Sequence, residues 1–231
     1  THAGPEIAVA STKAYTAQLS IFYLLTLYMA GLRRTVPRSR LAKLCRQFND
    51  MPRLMSELLS EYRSDYNTLA AYAQEFKRYY LEKHNKSYFL YLARNINYPN
   101  ALEGALKLKE ISYISAEGYP AGEMKHGPIA LIDENPWVVC IAVQSKTYDK
   151  MVSNIQEIKA RSGIVIAIAT EGDKEILHNK INYLIEIPKV DELFSPLLVV
   201  IPLQLLAYYV ALEFGYDIDQ PRNLAKSVTV E

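Results

Sequence analysis

Three charged residues near the middle of the chain have the spacing of one face of a helix. Glu103, Lys107 and Glu110 occupy positions i, i+4 and i+7, and at about 100° per residue the three lie within roughly 60° of one another. Lys109 falls on a different side of the same helix. Two carboxylates and an amine on one face are groups that general acid–base catalysis uses. A solvated face with Glu–Lys pairs has the same pattern, so the spacing alone leaves both interpretations open.

A segment that contains a histidine follows this helix. Residues Gly118 to Gly127 include three glycines, Pro120 and His126, a composition that predicts a shaped loop rather than further helix. A lone histidine is more often structural, but flanking glycine and proline favour an exposed position for His126. The helix face and the loop together form a candidate acid–base site.

The composition limits the classes of protein to consider. The chain has 231 residues, half of them hydrophobic, which is enough for one large or two small domains. Its net charge of +1 gives no indication of a nucleic acid or anionic membrane partner. Cys45 and Cys140 are far apart, and no Cys or His pair has metal-binding spacing, so no metal site is predicted. The chain contains no P-loop and no GxGxxG motif, so we expect no nucleotide cofactor.

Two strongly apolar segments are predicted to be buried helices rather than membrane spans. The first, residues 19–32, is short for a bilayer, and the second, residues 197–214, contains Pro202, Gln204 and Glu213. The first residues do not have the pattern of a signal peptide, so we expect none in this segment.

The second half of the chain has the pattern of a doubly wound α/β domain. Short apolar runs without consistent alternation predict strands buried on both faces, as in a parallel sheet covered by helices, at residues 88–92, 138–143, 164–169 and 183–187. Helical segments lie between and after them, at residues 99–115, 147–161, 174–179 and 196–214. Earlier helices are predicted at residues 15–32, at residues 41–62 with a break near Pro52, and at residues 67–83.

Three motifs carry a resemblance to a known family. They are GPEIAVASTKAY (Gly4–Tyr15), ALEGALKLKEISYISAEGYPAGEMKHGPIALI (Ala101–Ile132) and DQPRNLAKSVTVE (Asp219–Glu231). Together they closely resemble the isomerase part of the glutamine–fructose-6-phosphate aminotransferases, or glucosamine-6-phosphate synthases, and the likeness extends over essentially the whole chain. One departure is Ser115, which stands where bacterial relatives often have histidine.

The resemblance implies a division of the chain. Family members carry an N-terminal glutaminase domain followed by two sugar isomerase (SIS) domains. Residues 1–36 would then be the C-terminal remnant of the first SIS domain, residues 37–66 a helical connection, and residues 67–231 the second SIS domain with a functional C-terminal tail. The glutaminase domain and the Ser/Thr-rich loop that holds the sugar phosphate are missing, so we expect an inactive fragment.

The resemblance also implies catalytic roles for three residues. Glu110 corresponds to the base that moves a proton between carbons 1 and 2 of the open-chain sugar. Lys226 corresponds to the tail lysine that forms a Schiff base with the ketose. His126 corresponds to the histidine that assists ring opening and reaches the site of the neighbouring subunit.

Further site residues follow from the same likeness. Lys107 lies near the hydroxyl that gains or loses charge, and Glu103 is its companion carboxylate. Arg222 would help to lower the pKa of the tail lysine. The remaining substrate-contacting positions are Val9, Ser11 and Ala225, with Glu6 in the same loop.

The family function is the conversion of fructose 6-phosphate and glutamine-derived ammonia to glucosamine 6-phosphate. For this chain the resemblance implies a cytoplasmic homodimer with a shared active site and no cofactor. One alternative is a non-catalytic SIS module that binds sugar phosphates and regulates, and another is an oligomerising scaffold. The joint presence of Glu110, Lys226 and His126 favours the enzyme.

Overall fold

Five parallel strands form the centre of the chain, in the computed structural model that describes residues 1–63 and 68–224. In chain order they are β1 Tyr88–Ala93, β2 Ala116–Pro120, β3 Pro136–Ala142, β4 Ile164–Thr170 and β5 Tyr183–Ile187. Their spatial order is β2-β1-β3-β4-β5, and every neighbouring pair is parallel. The helices are α1 Lys13–Arg33, α2 Arg38–Glu61, α3 Thr68–Glu82, α4 Tyr98–Ser112, α5 Tyr148–Lys159, α6 Lys174–His178 and α7 Ser195–Glu213. The predicted α/β class, a parallel sheet flanked by helices and preceded by further helices, is confirmed.

Helices cover both faces of the sheet. Phe89 and Tyr91 of β1 point into a core shared with α3, α4 and α7. The alternating residues Leu90 and Leu92 point into a second core shared with α5 and α6. Because successive side chains of a strand point to opposite faces, burial on both sides explains the unbroken apolar runs in the sequence.

One strand lies in the segment that the sequence predicted as a loop. β2 pairs with β1 at the edge of the sheet, from Phe89 opposite Ala116 to Ala93 opposite Pro120. A side chain at Gly118 would come within 3.0 Å of the α4 backbone at Ala101. The glycine therefore marks a close approach of helix and strand rather than a turn.

The break predicted at Pro52 is absent, because α2 runs continuously through this residue. Leu44, Met51 and Leu58 are buried on either side of the proline. Packing along this apolar face holds the helix together although Pro52 cannot donate a backbone hydrogen bond.

The two apolar helices differ in burial. By length and composition, α1 and the segment Glu192–Glu213 are both long enough and apolar enough to cross a membrane. The prediction of a buried helix is confirmed for α7, which packs into the core. It is wrong for α1, because Tyr23 and Leu27 are its only buried side chains among the described residues. α1 packs on one side against α2 and α7, and its other side exposes Ile21, Phe22, Leu24, Leu25, Tyr28, Met29 and Leu32.

Two tyrosines bond to the strand at the other edge of the sheet. The Tyr62 hydroxyl donates to the carbonyl oxygen of Glu186 at 2.8 Å and accepts the amide N–H of the same residue at 3.0 Å. The Tyr72 hydroxyl donates to the carbonyl oxygen of Leu184 at 2.9 Å. Tyr62, directly after α2, and Tyr72 of α3 thus bond to polar backbone groups of β5 that an edge strand would leave open to another chain.

Candidate active site

The beginning of α4 is fixed by a buried polar network. Pro99 lies in the first turn, as predicted, where a missing N–H has no cost. The Asn100 side-chain amide donates to the carbonyl oxygen of Pro196 at 3.0 Å, and Asn97 donates to the Ser195 hydroxyl at 2.9 Å. The Tyr15 hydroxyl donates to Asn100 Oδ1 at 2.8 Å. These bonds tie the first turns of α1, α4 and α7 together, and such networks are rigid when every member is satisfied.

Close packing sets the depth of α4 on the sheet. A side chain at Gly104 would come within 2.9 Å of the Tyr91 ring, so the helix approaches β1 as closely as only a glycine permits. Ala101, Ala105 and Leu108 are buried on this side of the helix. The orientation of the charged face is therefore determined by the packing of the apolar one.

Glu103, Lys107 and Glu110 form one cluster on α4. The Lys107 Nζ atom lies 2.5 Å from Glu110 Oε2 and 3.9 Å from Glu103 Oε1, and its side chain is only 5% exposed. Lys109 is exposed. The predicted common face is confirmed, and the interpretation as a merely solvated face is wrong, because the cation between the two carboxylates is buried.

Burial acts most strongly on Glu103. Desolvation raises the pKa of its carboxyl, Lys107 opposes that change, and the negative charges of Glu110 and Glu6 add to it. Glu103 Oε1 is buried and has no hydrogen-bond partner. Burial also raises the pKa of the Tyr15 hydroxyl to about 12, and the negative charge of Glu103 adds a smaller contribution.

We predict that Glu103→Gln raises the melting temperature of the chain at neutral pH. A carboxyl whose folded-state pKa is raised stabilises the fold below its unfolded pKa, and that contribution is lost as the pH rises through the folded pKa. The variant removes one of two carboxylates around a single buried lysine, so its advantage should be largest at pH 7 and should vanish as the pH falls below the ordinary glutamate range. Thermal unfolding followed by circular dichroism between pH 3.5 and 7.5 measures this. A gain in melting temperature that does not change with pH would contradict a raised pKa of Glu103 in the folded chain.

The N-terminal loop reaches the cluster through Glu6. The Glu6 Oε1 atom accepts the amide N–H groups of Thr12 and Ala14, each at 3.0 Å. This carboxylate, rather than a hydroxyl of Ser11 or Thr12, caps the beginning of α1. Val9 and Ser11 are half-buried in the same loop, which lies beside α4 because Tyr15 bonds to Asn100.

The described part of the C-terminal tail packs onto the same region. The Val9 amide donates to the carbonyl oxygen of Asp219 at 2.9 Å, and the Arg222 amide donates to the Tyr113 hydroxyl at 2.7 Å. The Arg222 guanidinium lies over the Tyr113 ring, 4.4 Å from its centroid. Within residues 1–63 and 68–224 it forms no ion pair with Asp219 or Glu103.

Two predicted site residues, Ala225 and Lys226, lie outside the described residues. The others fall into two groups. Glu6, Val9, Ser11, Glu103, Lys107, Glu110 and Arg222 belong to the N-terminal loop, α4 and the tail that packs beside them.

His126 lies apart from this group. It ends a short 3-10 segment, Ala121–His126, that follows β2 and packs on α5. Its side chain is 76% exposed, and its Nε2 atom is 4.0 Å from Glu123 Oε2. α4 ends where β2 begins, and the five residues of β2 span about 16 Å. His126 therefore lies beyond the carboxyl end of β2, whereas the end of α4 lies near the amino end of that strand.

Three structurally important residues were not predicted from the sequence. Tyr15 and Asn100 join α1 to α4, and Tyr113 holds the tail. The signal that could have indicated Tyr15 and Tyr113 is their place within the motifs themselves, and Asn100 directly precedes the second motif. For metal binding, a search of the described residues finds no group of three or more His, Cys, Asp or Glu side chains placed to hold an ion.

Comparison with known proteins identifies close relatives. The chain is 52% identical over 232 residues to the glutamine–fructose-6-phosphate aminotransferase (isomerizing) of Thermus thermophilus, and 52% identical over 231 residues to that of Aquifex aeolicus. In each case all of this chain aligns with 36% of the relative. The chain therefore spans little more than a third of the length of these proteins.

Solved structures agree with the sequence comparison. The C-terminal domain of glucosamine-fructose-6-phosphate aminotransferase from Francisella tularensis superposes with a TM-score of 0.84 at 38% identity, over 96% of this chain and 59% of that one. Glucosamine-6-phosphate deaminase from Thermotoga maritima, at 20% identity and a TM-score of 0.61 over 96% of this chain and 58% of that one, shares the fold alone.

The family is assigned from a match to the sequence model of a known domain. The sequence model of the SIS domain matches residues 80–214, more than half of the chain, and this range contains the whole five-stranded sheet. The sequence identities and the superposition place the match in the C-terminal SIS portion of the aminotransferases. The chain is a homologue of that portion and belongs to the SIS domain family.

Proposed function

We propose that the chain is the isomerase part of a glucosamine-6-phosphate synthase. In the complete protein it would convert fructose 6-phosphate and glutamine-derived ammonia to glucosamine 6-phosphate. The observation that carries this proposal is the buried Lys107 held between Glu103 and Glu110, with the N-terminal loop and the tail packed beside them. A module that only bound sugar phosphates would have no use for a buried amine between two carboxylates.

The proposed mechanism uses the groups of this cluster and of the tail. Glu110 removes the proton from carbon 1 of the open-chain imine and returns it to carbon 2. Lys107 stabilises the charge that develops on the neighbouring oxygen, and Glu103 holds the Lys107 ammonium in place. Lys226 forms the Schiff base with the ketose and is released when ammonia replaces it. Val9, Ser11, Ala225 and Glu6 are proposed substrate contacts.

A test of this proposal uses a chimera. This chain would replace the aligned region of the Thermus thermophilus relative, because all of this chain aligns with that region. We expect the chimera to form glucosamine 6-phosphate from fructose 6-phosphate and glutamine. A folded chimera that binds fructose 6-phosphate without turnover would instead support the regulatory binding module.

The chain by itself should bind fructose 6-phosphate only weakly. In the family the phosphate is held by a Ser/Thr-rich loop of the first SIS domain, and the motifs of this chain do not include that loop. Each lost charge-assisted hydrogen bond costs about 1.5–3 kcal/mol, so three of them move a micromolar site to about millimolar or weaker. Calorimetric titration measures this, and a low-micromolar dissociation constant would show that the phosphate site lies within this chain.

The proposed assembly is a homodimer in which His126 completes the site of the partner subunit. The support is an exposed His126 whose ion-pair partner among the described residues is Glu123 rather than a residue of the cluster on α4. We predict that Glu110→Gln and His126→Asn proteins are each inactive alone and recover about a quarter of wild-type activity when co-expressed, because half of the random dimers carry one intact site of two. No recovery in purified heterodimers would place His126 in the site of its own subunit.

We also propose the division of the chain into residues 1–36 of a first SIS domain, residues 37–66 of a connection, and residues 67–231 of a second SIS domain. The exposed apolar face of α1 supports it, since seven large apolar side chains exposed together on one helix face indicate an interaction surface. In this proposal the first SIS domain covers that face, a glutaminase domain supplies the ammonia, and the protein is cytoplasmic.

A further inference from the structure

Tyr113 ends α4 in an unusual backbone conformation. Its φ and ψ are 59° and 7°, and its amide donates to the carbonyl oxygen of Lys109 at 3.2 Å. Glycine or asparagine is the usual residue in this left-handed position, where a larger side chain is strained. If ending the helix were the only requirement, glycine would satisfy it better than tyrosine. The reason for a tyrosine must therefore lie in its side chain.

The Tyr113 side chain contacts the tail at two places. Its hydroxyl accepts the amide N–H of Arg222 at 2.7 Å, and its ring lies under the Arg222 guanidinium, 4.4 Å from the ring centroid. The Tyr216 ring packs against it edge-on, with the centroids 4.9 Å apart. Tyr113 thus bonds to and stacks on Arg222, and it packs against Tyr216, which lies six positions earlier in the tail.

The tail from Tyr216 to Leu224 is a loop whose turns are held by hydrogen bonds within the loop. Asp217 Oδ1 accepts the amides of Asp219 and Gln220 at 3.0 and 2.9 Å, and the Leu224 amide donates to the Pro221 carbonyl at 3.0 Å. The loop therefore has a fixed shape but needs external anchors. Its bond to Val9 anchors it to the N-terminal loop, and Tyr113 anchors it to α4.

We propose that Tyr113 is a positioning residue that fixes the tail relative to Glu110. Tyr113 follows Glu110 by three residues, and Arg222 precedes Lys226 by four. A link between α4 and Arg222 therefore fixes the position from which the chain continues toward Lys226. This inference rests on the proposed function for its catalytic consequence, but the link itself is a property of the fold.

Hydrogen exchange of the chain tests the link directly. In Tyr113→Gly we expect the amides of residues 216–224 and of Val9 to exchange about tenfold faster or more, the order expected for loss of one hydrogen bond. Amides of β1 and β3 should keep their protection, because glycine suits the backbone of this position. In Tyr113→Phe, which keeps the ring, the increase should be concentrated at the Arg222 amide.

Two matched variants serve as controls. Ser162 is also in the left-handed region, with φ 65°, so Ser162→Gly reproduces the backbone change away from the tail. Tyr119 bonds through its hydroxyl to Glu117 on its own strand, so Tyr119→Phe reproduces the loss of a hydroxyl. Neither should alter exchange in the tail. Unchanged tail exchange in Tyr113→Gly, an unprotected tail in the wild type, or equal loss of protection in β1 and β3 would each overturn the proposal.

A second measurement separates this inference from the proposed function. In the full-length protein, borohydride trapping at saturating fructose 6-phosphate should label Lys226 about tenfold more slowly in Tyr113→Gly than in the wild type and in Ser162→Gly. Unchanged labelling despite a released tail would overturn the positioning role. Absence of any label in the wild type would contradict the proposed function, and the exchange data would still decide whether Tyr113 holds the tail.

Discussion

Replacement of Lys226 by arginine in the full-length protein is expected to abolish synthesis of glucosamine 6-phosphate without loss of folding. Arginine keeps the positive charge, but its guanidinium remains protonated at working pH and does not attack the ketose carbonyl. The imine intermediate therefore cannot form. Steady-state kinetics with fructose 6-phosphate and glutamine measure the loss, and circular dichroism reports the fold.

Lys109→Arg is the matched control, because Lys109 is an exposed lysine on the helix that carries the cluster. It should leave the rate unchanged. Near-normal synthesis by Lys226→Arg would mean that the tail lysine contributes only charge, and the covalent step would have to be abandoned.

Glu110→Gln should lower kcat by about 10²–10⁴-fold, the range that a positioned general base contributes. Glutamine keeps the shape of the side chain and can still accept a hydrogen bond from Lys107, which lies 2.5 Å from Glu110 Oε2 in the native chain. KM should change little, because the proton is transferred after the sugar has bound. Kinetics at saturating fructose 6-phosphate test this.

The control for that variant is Glu117→Gln, since Glu117 is exposed on β2 and bonds to Tyr119 rather than to the cluster. A Glu110→Gln protein with unchanged kcat and a raised KM would assign Glu110 to substrate binding instead of proton transfer. Loss of activity together with a lower melting temperature would indicate a structural role.

Much of the fold could be predicted because one physical pattern dominates the second half of the chain. Strands buried on both faces give unbroken apolar runs, and four of the five strands were located in that way. β2 was missed because it contains Gly118 and Pro120, which local rules assign to loops, whereas β5, equally short and also at an edge, is an apolar run. Its glycine is required by the approach of α4, a tertiary contact that no local rule contains.

The cluster on α4 could be predicted from helical spacing, because Glu103, Lys107 and Glu110 belong to one helix. The contacts that bring other segments to it could not. Tyr15, Tyr113 and Arg222 meet their partners across about 85 to 109 residues of sequence. Similarly, the apolar sequence of α1 predicts burial but does not say which surface provides it.

The most direct test of the proposed chemistry is to map the lysine that fructose 6-phosphate traps. The full-length protein would be reduced with borohydride in the presence of saturating fructose 6-phosphate, digested, and sequenced by mass spectrometry. We predict one adduct, on Lys226, which is absent from Lys226→Arg and from samples without sugar. An adduct on Lys107 or on another lysine, or no adduct at saturating sugar, would contradict the assignment of this chain as the isomerase part of a glucosamine-6-phosphate synthase that acts through a Schiff base on its tail.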